Sequence, residues 1–412
     1  MRAGLIFVML GMAQPGGAQS LNTSEQDNST ERVEMTAMGT EQGFAQWLTG
    51  FRPRALEAGI APDALERALR MARFNPKIIE RDRNQNEFTK TIWDYLDTAV
   101  SDDRVAHGKR ALAQHGVLLE RIEAEYGVDR HVVAAIWGLE SAYGSFRGDI
   151  PTIEALATLA YDARRAAFFE EQLIAALRII ESGDVTPDAM RGSWAGAMGH
   201  TQFMPTSWWA HAVDFNGDGK RDVWSDDPTD ALASAAAYLR HWGWTNGALW
   251  GLEVRLPEAF DYEQTTERVK KPVAEWAQMG VAPMAGGDLP DHGLASVLLP
   301  GGARGAAFLI FSNFQVIERY NTADAYVIAV GHLADRLRGA PPIAASWPRA
   351  LRALSLAERM ELQERLGAAG FDPKGVDGRI GPNTIAAVKA FQRANGLVPD
   401  GYASLDVLDR LR

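Results

Sequence analysis

The segment from Asp129 to Gly144 constrains the fold most, because its apolar residues recur with a helical period and the pattern stops at a glycine. Ile136 and Trp137 stand four and three residues before Glu140, so these three side chains share one side of a helix. Asp129 is suited to cap the first turn of that helix. The sequence therefore predicts one carboxylate, Glu140, on an apolar helical face close to where the helix ends.

Apolar surroundings disfavour the charged form of a carboxyl group and raise its pKa, which is the property that a general acid needs near neutral pH. Glu140 is therefore the candidate catalytic group. The alternative is a structural glutamate at a helix end, which forms a salt bridge to Arg147 or is simply solvated. The other motifs of the chain decide between these two interpretations.

The chain has 412 residues, 46% of them hydrophobic, and this size predicts two or three domains with a substantial core. The net charge of -11 and the lack of a basic stripe argue against a nucleic-acid partner. The sequence contains no cysteine, which excludes disulfides, a cysteine nucleophile and a lipid-modified cysteine. Residues 1–18 are typical of a secretory signal peptide and residues 19–40 of a disordered leader, so we expect an exported, soluble protein.

Helical patterns dominate residues 41–180. Residues 192–205 mix small residues with Trp, Met, Gln and Phe, which predicts a loop where a ligand approaches the backbone closely. Residues 251–302 are rich in Pro and Gly and leave open a small sheet or an irregular insertion. Residues 340–353 predict a linker, and residues 354–412 then show three short helical patterns separated by glycine turns.

The loop that begins at Asp214 carries oxygen-bearing side chains at the spacing of a calcium-binding loop, and Gly219 stands where such a loop turns sharply. The candidate ligands are the side chains of Asp214, Asn216, Asp218 and Asp222 and the backbone carbonyl of Lys220. Ser225 stands where an EF-hand has its bidentate glutamate, so the closing carboxylate stays open. Its candidates are Asp222, Asp226, Asp227 and Asp230. We predict a structural calcium ion or another hard cation, with a turn that holds only water as the alternative.

Several motifs occur in a fixed order and carry a family resemblance. They are Glu140-Ser141 with Tyr143-Gly144, the segment from Pro151 to Ala160, Arg164-Arg165, Phe168-Phe169, GSWAGAMGHTQFMPTS from Gly192, and the DFNGDGKRDVW loop from Asp214. In these motifs the chain resembles lytic murein transglycosylases of the membrane-bound type B family, over residues 41–339. The resemblance implies a mainly α, lysozyme-like catalytic domain with a small irregular or β insertion. Because the sequence has no cysteine that could carry a lipid, we expect a soluble, periplasmic relative without a lipid anchor. The chain departs from the family pattern at Trp194-Ala195 and at His200-Thr201.

The resemblance implies cleavage of the β-1,4 bond between N-acetylmuramic acid and N-acetylglucosamine, with a 1,6-anhydromuramyl end as product. Glu140 would be the single acid and base, helped by the N-acetyl group of the substrate, and the chemistry needs no cofactor. By the same resemblance, Ser193 and Gln202 would bind the sugars and Phe203 would shape the floor of the cleft. The residues expected to line the cleft are Tyr238, Tyr320, Asn321 and Tyr95. An ordinary core role stays open for Phe203 and Tyr238. The family closes its cation site with an acid that corresponds to Asp230 of this chain.

Residues 354–412 separately resemble a peptidoglycan-binding domain of the small three-helix type. The residues that carry this likeness include Leu362-Gln363, Asp377-Gly378, Phe391-Gln392 and Asp400-Gly401. Turn chemistry with core packing is the alternative. Peptidoglycan glycan strands are the expected partner of a monomer, and proteins of the cell-wall machinery are left open as partners.

Two other functions compete with lytic cleavage. The first is a hydrolase on the same fold, in which Asp149 or another nearby acid activates water. The second is a wall-binding or scaffold protein that retains the cleft without the activity. The sequence has no HExxH motif and no Cys/His cluster, which argues against a zinc amidase or peptidase.

Overall fold

The computed structural model describes residues 39–83 and 90–412. The predicted signal peptide, and the predicted leader up to residue 38, lie outside the described residues. Of the described chain, one compact unit contains residues 39–83, 111–126 and 136–241, and a second contains residues 90–110, 127–135 and 242–412. Within the described ranges, no helix is long and apolar enough to cross a membrane.

Helices dominate the described chain, as the sequence predicts. In chain order they are α1 (Glu41–Glu57), α2 (Pro62–Leu69), α3 (Pro76–Arg83), α4 (Ile92–Ala99), α5 (Asp102–Gln114), α6 (Gly116–Tyr126), α7 (Arg130–Ser141), α8 (Thr152–Tyr161), α9 (Ala166–Ser182), α10 (Pro205–His211), α11 (Thr229–His241), α12 (Val273–Gln278), α13 (Ser312–Glu318), α14 (Asp324–Arg338), α15 (Leu356–Ala368), α16 (Pro382–Ala394) and α17 (Leu405–Leu411). The strands are β1 (Ile150–Pro151), β2 (Arg191–Gly192), β3 (Gly251–Arg255), β4 (Lys271–Pro272), β5 (Ala282–Pro283), β6 (Leu294–Leu298) and β7 (Ala307–Ile310).

The first unit is organised around helix α8, which is buried on nearly all sides. Every residue from Thr152 to Tyr161 is buried except Glu154, and a helix that is apolar all round belongs in the centre of a domain. Helix α9 packs along α8 and buries Phe169 and Leu173. Short strands β1 and β2 pair antiparallel, which places the start of α8 beside the loop that follows β2.

The predicted helix after Asp129 is confirmed as α7. The Asp129 carboxylate accepts a hydrogen bond from the backbone N–H of His131 at 2.7 Å, so it caps the first turn as expected. Residues 132–139 are all buried. Because α7 has no solvent-exposed stripe along these residues, Glu140 follows a run of buried apolar side chains.

The insertion in the second unit is a sheet, which resolves the alternative left open by the sequence. Its strands have the order β4-β6-β7-β3-β5 and all its pairs are antiparallel. Trp276 on α12 is fully buried against one side and donates a hydrogen bond to the carbonyl of Ala295 on β6 at 2.9 Å. Val254, Val297 and Leu309 are other buried members of this core.

The C-terminal residues fold as three helices around a small apolar core. The buried members are Leu354, Leu362, Leu366, Ala387, Val388, Phe391, Val407 and Leu408. Ser355 and Glu358 form a capping box at the start of α15. The mainly α fold with a small sheet and a small helical C-terminal domain is thus confirmed.

Candidate active site

Glu140 is the penultimate residue of α7 and is half-buried beside the buried Ser141. After the helix, the chain continues through Ala142, Tyr143 and Gly144, whose φ angles are 49°, 58° and 85°. A left-handed conformation costs roughly 1–2 kcal/mol for a residue with a Cβ atom. Two consecutive non-glycine residues therefore make this helix end strained, and neighbouring contacts must hold it.

His200 provides several of those contacts. The indole N–H of Trp137 donates to Nδ1 of His200 at 3.1 Å, and the hydroxyl of Ser141 donates to the backbone carbonyl of His200 at 2.6 Å. On the other side of the ring, Nε2 lies 2.8 Å from the carbonyl oxygen of Ser225. Burial lowers the pKa of His200 to about 4, so the ring is neutral at neutral pH. A Cβ atom at Gly144 would come within 2.7 Å of this ring.

Arg147, the residue weighed as a salt-bridge partner of Glu140, instead binds the part of the predicted cation loop between Asp222 and Asp230. Its guanidinium pairs with the Asp226 carboxylate at 2.6 Å and also donates to the carbonyl of Ser225. The hydrogen bond from Arg147 to the Asp226 carboxylate lowers the pKa of Asp226. The backbone carbonyl of Arg147 accepts a hydrogen bond from Nε2 of Gln202 at 3.0 Å, so the chain after α7 is joined directly to a predicted substrate-binding residue.

Ser193 and Gln202 frame a tight turn. The Ser193 hydroxyl oxygen accepts from the backbone N–H groups of Ala195 (3.2 Å) and Ala197 (3.0 Å), which leaves its own proton to donate. Gln202 has a φ of 51° and donates to the Gly199 carbonyl at 2.8 Å. Its Oε1 atom is buried and has no hydrogen-bond partner among residues 39–83 and 90–412. A buried acceptor in this state is suited to receive a donor from a ligand.

The glycines of this turn have a different role from the one that the sequence suggested. A Cβ atom at Gly192 would lie 2.1 Å from the carbonyl oxygen of Ala197, and one at Gly199 would lie 2.0 Å from that of Val223. The small residues at these positions let backbone segments of the protein approach each other. Close approach of a ligand to the backbone of this loop stays a prediction.

Phe203 and Tyr238 are in contact and both are buried, with 3% and 8% exposure. Their ring centroids are 5.8 Å apart, and the His211 ring lies 4.9 Å from that of Tyr238. Helix α11 positions Tyr238, while a backbone pairing between Phe203 and Met198 positions the phenylalanine. The two predicted aromatic residues therefore form one cluster.

The other predicted cleft residues belong to the second unit. Tyr95 lies on α4 and is half-buried. Tyr320 and Asn321 are buried between α13 and α14, and Asn321 accepts a hydrogen bond from the Ala323 N–H at 2.9 Å, which shapes the start of α14. Helix α14 packs against α4, so these three residues lie on neighbouring elements of that unit.

The predicted cation loop brings three of its acids together. Carboxylate oxygens of Asp214, Asp218 and Asp230 lie within 4.8 Å of one another. Asp230 is buried, and its carboxylate accepts hydrogen bonds from the backbone N–H groups of Phe215 (2.9 Å) and Asp222 (3.0 Å). Burial raises the pKa of Asp230, and the nearby Asp214 charge adds to this. Clustered carboxylates of this kind fit a hard cation.

Asp222 has another role in this loop. Its carboxylate accepts hydrogen bonds from the N–H groups of Trp224 at 2.8 Å and Ser225 at 3.1 Å. Asn216 accepts from the N–H of Asp218 at 2.9 Å, and Asp218 from that of Lys220 at 2.9 Å. The loop side chains thus already organise its backbone.

A second acidic cluster lies in the second unit and was missed by the sequence reasoning. Glu267, Glu318 and Asp324 bring carboxylate oxygens within 4.8 Å of one another. Burial, followed by the like charges of Glu267 and Asp324, raises the pKa of Glu318 to about 8. Burial also raises the pKa of Asp324 to about 7. Glu267 lies far from Glu318 and Asp324 in the sequence, so no local spacing pattern signals the cluster.

A family model described as a transglycosylase SLT domain matches residues 43–335, well over half of the chain. The chain belongs to this SLT transglycosylase family. The family resemblance inferred from the sequence is therefore confirmed, including its C-terminal part, since a second model described as a putative peptidoglycan binding domain matches residues 355–411.

Relatives of this SLT protein include enzymes of known structure. SltB3 from Pseudomonas aeruginosa, solved in complex with NAG-anhNAM-pentapeptide, is 49% identical, with 90% of this chain and 99% of that chain covered and a TM-score of 0.87. The Escherichia coli lytic transglycosylase Slt35, solved in complex with calcium, is 29% identical, with 72% and 92% covered and a TM-score of 0.61. The membrane-bound lytic murein transglycosylase B of Escherichia coli (strain K12) is 33% identical over 246 residues. That match covers 58% of the SLT protein and 65%, less than two thirds, of the relative.

Two buried glutamines explain the repeated Gln and Asp-Gly motifs of the second matched domain. Gln363 accepts hydrogen bonds from the N–H groups of Asp377 (3.0 Å) and Gly378 (2.7 Å). Gln392 donates to the Asp400 carboxylate at 2.7 Å and accepts from the Gly401 N–H at 2.9 Å. Each glutamine thus holds an Asp-Gly turn against its helix.

Proposed function

We propose that this protein is a peptidoglycan lytic transglycosylase of the periplasm. It cleaves the β-1,4 bond between N-acetylmuramic acid and N-acetylglucosamine and leaves a 1,6-anhydromuramyl end. The observation that carries this proposal is the 49% identity to SltB3 over 99% of that chain, because SltB3 was solved with a NAG-anhNAM ligand. An anhydro sugar is the kind of end that this reaction forms.

Glu140 acts as the acid and then as the base. The carboxyl group gives its proton to the glycosidic oxygen as the bond from C1 to that oxygen breaks. The O6 atom of the same muramyl sugar then attacks C1, and the Glu140 carboxylate takes the proton from O6. The N-acetyl carbonyl of the substrate stabilises the positive charge at C1 between these steps. No water is added, and Glu140 returns to its protonated form.

The residues around the turn at Gly199 bind the sugars. The Oε1 atom of Gln202, which has no hydrogen-bond partner in the described part of the chain, accepts a hydrogen bond from a sugar N–H or O–H. The Ser193 hydroxyl donates its remaining proton to the substrate. Phe203 and Tyr238 supply an apolar surface. The other residues proposed to line the cleft are Tyr95, Tyr320 and Asn321, which belong to the second unit.

The loop at Asp214 binds calcium. The carboxylates of Asp214, Asp218 and Asp230 support this, since they lie within 4.8 Å of one another and calcium prefers oxygen ligands. Calcium in the related Slt35 structure gives further support. The other proposed ligands are Asn216, Asp222 and the carbonyl of Lys220. The ion has a structural role, because it neutralises the buried Asp230 and joins the loop to α11.

The catalytic domain covers residues 41–339 and the peptidoglycan-binding domain residues 354–412, with residues 340–353 as the linker. The C-terminal domain holds the glycan strands of a large, insoluble substrate. The protein acts as a monomer.

The test is mass spectrometry of the muropeptides that the purified protein releases from peptidoglycan. We expect products lighter by one water than their reducing counterparts, and no such products from the Glu140→Gln variant. Glu171→Gln is the matched control, because Glu171 is an exposed glutamate on α9. We expect the Glu171→Gln variant to keep full activity.

Three results would contradict the proposal. Reducing ends in the products identify a hydrolase, and their loss in Asp149→Asn then identifies the acid that activates water. Unchanged release by Glu140→Gln removes Glu140 from the mechanism. A protein that binds peptidoglycan and releases nothing is a scaffold.

A further inference from the structure

The end of α7 needs support from outside the helix. Ala142 and Tyr143 both have positive φ angles, and non-glycine residues hold such conformations only where the surrounding structure determines them. Ser141 contributes within the turn, since its hydroxyl oxygen accepts a hydrogen bond from the Gly144 N–H at 3.0 Å. The same hydroxyl donates to the carbonyl of His200, a residue far away in the sequence.

His200 is attached to two parts of the first unit at once. Its ring contacts Trp137 edge to face, with centroids 5.8 Å apart, and its Nδ1 atom accepts the indole hydrogen bond. Its backbone N–H donates to the carbonyl of Val223 at 3.1 Å. Its Nε2 atom lies 2.8 Å from the carbonyl oxygen of Ser225. The end of α7 is thereby fixed to the part of the cation loop between Asp222 and Asp230.

The partners of the ring determine its tautomer. An indole N–H can only donate, so Nδ1 of His200 must be the acceptor and Nε2 must carry the proton. The proton on Nε2 is then directed at the carbonyl oxygen of Ser225. Arg147 lies 3.2 Å from Nε2, but its guanidinium is also a donor and binds Ser225 and Asp226 instead. Both ring nitrogens of His200 are therefore used, in one defined orientation.

We infer that His200 is a positioning residue for Glu140. It holds Trp137, which precedes Glu140 by one helical turn on the same side of α7, and Ser141, which directly follows it. With both neighbours fixed, the carboxyl group has a defined direction at the helix end. This inference rests on the proposed function, since it assumes that Glu140 is the acid and base.

Three substitutions of His200 separate its two hydrogen bonds. His200→Asn retains an acceptor at the position of Nδ1, His200→Gln retains a donor at the position of Nε2, and His200→Leu retains neither. We expect His200→Leu to lower kcat on soluble, uncross-linked glycan strands by roughly 10- to 100-fold with KM within about twofold, because misplacement of a catalytic group by about 1 Å costs this much. His200→Asn restores most of the lost kcat, since it can still accept the Trp137 hydrogen bond.

Trp137→Phe removes the indole donor and tests the same connection from its other end. We expect it to lower kcat as His200→Leu does. The double variant should be no slower than the slower single variant, because substitutions at two residues that act through one contact do not have additive effects. Thr158→Val is the control for a buried lesion. Thr158 is fully buried in α8 and bonds to Arg73 and Asn75, so its loss lowers the melting temperature and leaves kcat unchanged.

The inference is overturned if His200→Leu folds and keeps its kcat. It is also overturned if Thr158→Val loses as much kcat per degree of lowered melting temperature as His200→Leu does. It is equally overturned if Trp137→Phe and His200→Leu have fully additive effects. Should His200→Leu fail to fold, the ratio of kcat between His200→Asn and His200→Gln decides, and equal values contradict the role of Nδ1. An active Glu140→Gln variant is a separate result, which removes the proposed function itself.

Discussion

The ammonium group of Lys389 donates hydrogen bonds to the hydroxyl and the backbone carbonyl of Thr265, over 2.9 and 3.2 Å. A third bond goes to the carbonyl of Tyr262 at 2.7 Å. Lys389 is only 3% exposed, and burial lowers its pKa. Lys389 lies on α16 and Thr265 between β3 and β4, so this contact joins the peptidoglycan-binding domain to the sheet region of the same unit.

Replacement of Lys389 by methionine is expected to weaken that contact. The variant removes all three hydrogen bonds that the ammonium group donates, at a cost of about 1–3 kcal/mol. Calorimetric unfolding should show a lower melting temperature, and limited proteolysis should cut faster within residues 340–353. Lys374→Met is the control, because Lys374 pairs with Asp372 in an exposed salt bridge that contributes little. Equal effects of the two variants would rule out a specific role for Lys389.

Calcium should stabilise the protein through the loop at Asp214. A ligand at about 100 times its dissociation constant adds about 2.7 kcal/mol to the free energy of unfolding, so the melting temperature should rise with calcium and fall with a chelator. Asp218→Asn should lose this response, since it removes one charged ligand and keeps the oxygen that accepts the Lys220 N–H.

Asp227→Asn is the matched control for that experiment. Asp227 is an exposed acid near the loop whose oxygen accepts from the Thr229 N–H at 3.0 Å, and asparagine retains that acceptor. The control should respond to calcium as the unaltered protein does. An equal response from Asp218→Asn would mean that the ion binds elsewhere.

Local patterns in the sequence predict the parts of this structure that depend on neighbouring residues. The helical period and the N-cap at Asp129 predict α7, and the loop spacing predicts the meeting of Asp214 with Asp218. The strained conformation of Tyr143 has no sequence signal, because it depends on the His200 contacts, which come from a distant loop. The position of Lys389 likewise depends on the sheet against which α16 packs.

The acidic cluster around Glu318 predicts a pH dependence of stability opposite to that of a glutamate whose pKa is lowered by a salt bridge. The folded-state pKa of Glu318, about 8, lies above its value of about 4.3 in an unfolded chain. Between these values the unfolded state has lost the proton and the folded state retains it, so stability falls as pH rises from about 4.5 to 8. Glu318→Gln removes this loss and should stabilise the protein at pH 8 by on the order of 1–3 kcal/mol, with little effect at pH 4.5.

Urea unfolding at both pH values, with a chelator present throughout, measures this difference. Glu258→Gln serves as the control, because Glu258 is exposed in the same unit and its substitution should change neither value. A gain from Glu318→Gln that is the same at pH 4.5 and pH 8 would show that charge repulsion in the cluster is not the cause.

The close approach of Gly148 to Gly192 predicts a large and specific cost for one methyl group. Gly148 has a φ of 88°, and a Cβ atom there would lie 2.1 Å from the backbone carbonyl oxygen of Gly192. Gly148→Ala must therefore displace backbone next to β1 and β2, and we expect a loss of more than about 3 kcal/mol together with a loss of activity. Gly183→Ala separates the two causes, because Gly183 has a φ of 84° but nothing within 4 Å of its Cβ position. Gly183→Ala should lose only about 1 kcal/mol of stability, from backbone strain alone. Urea unfolding measures the loss in both variants. Equal losses would show that the contact with Gly192 has no cost of its own.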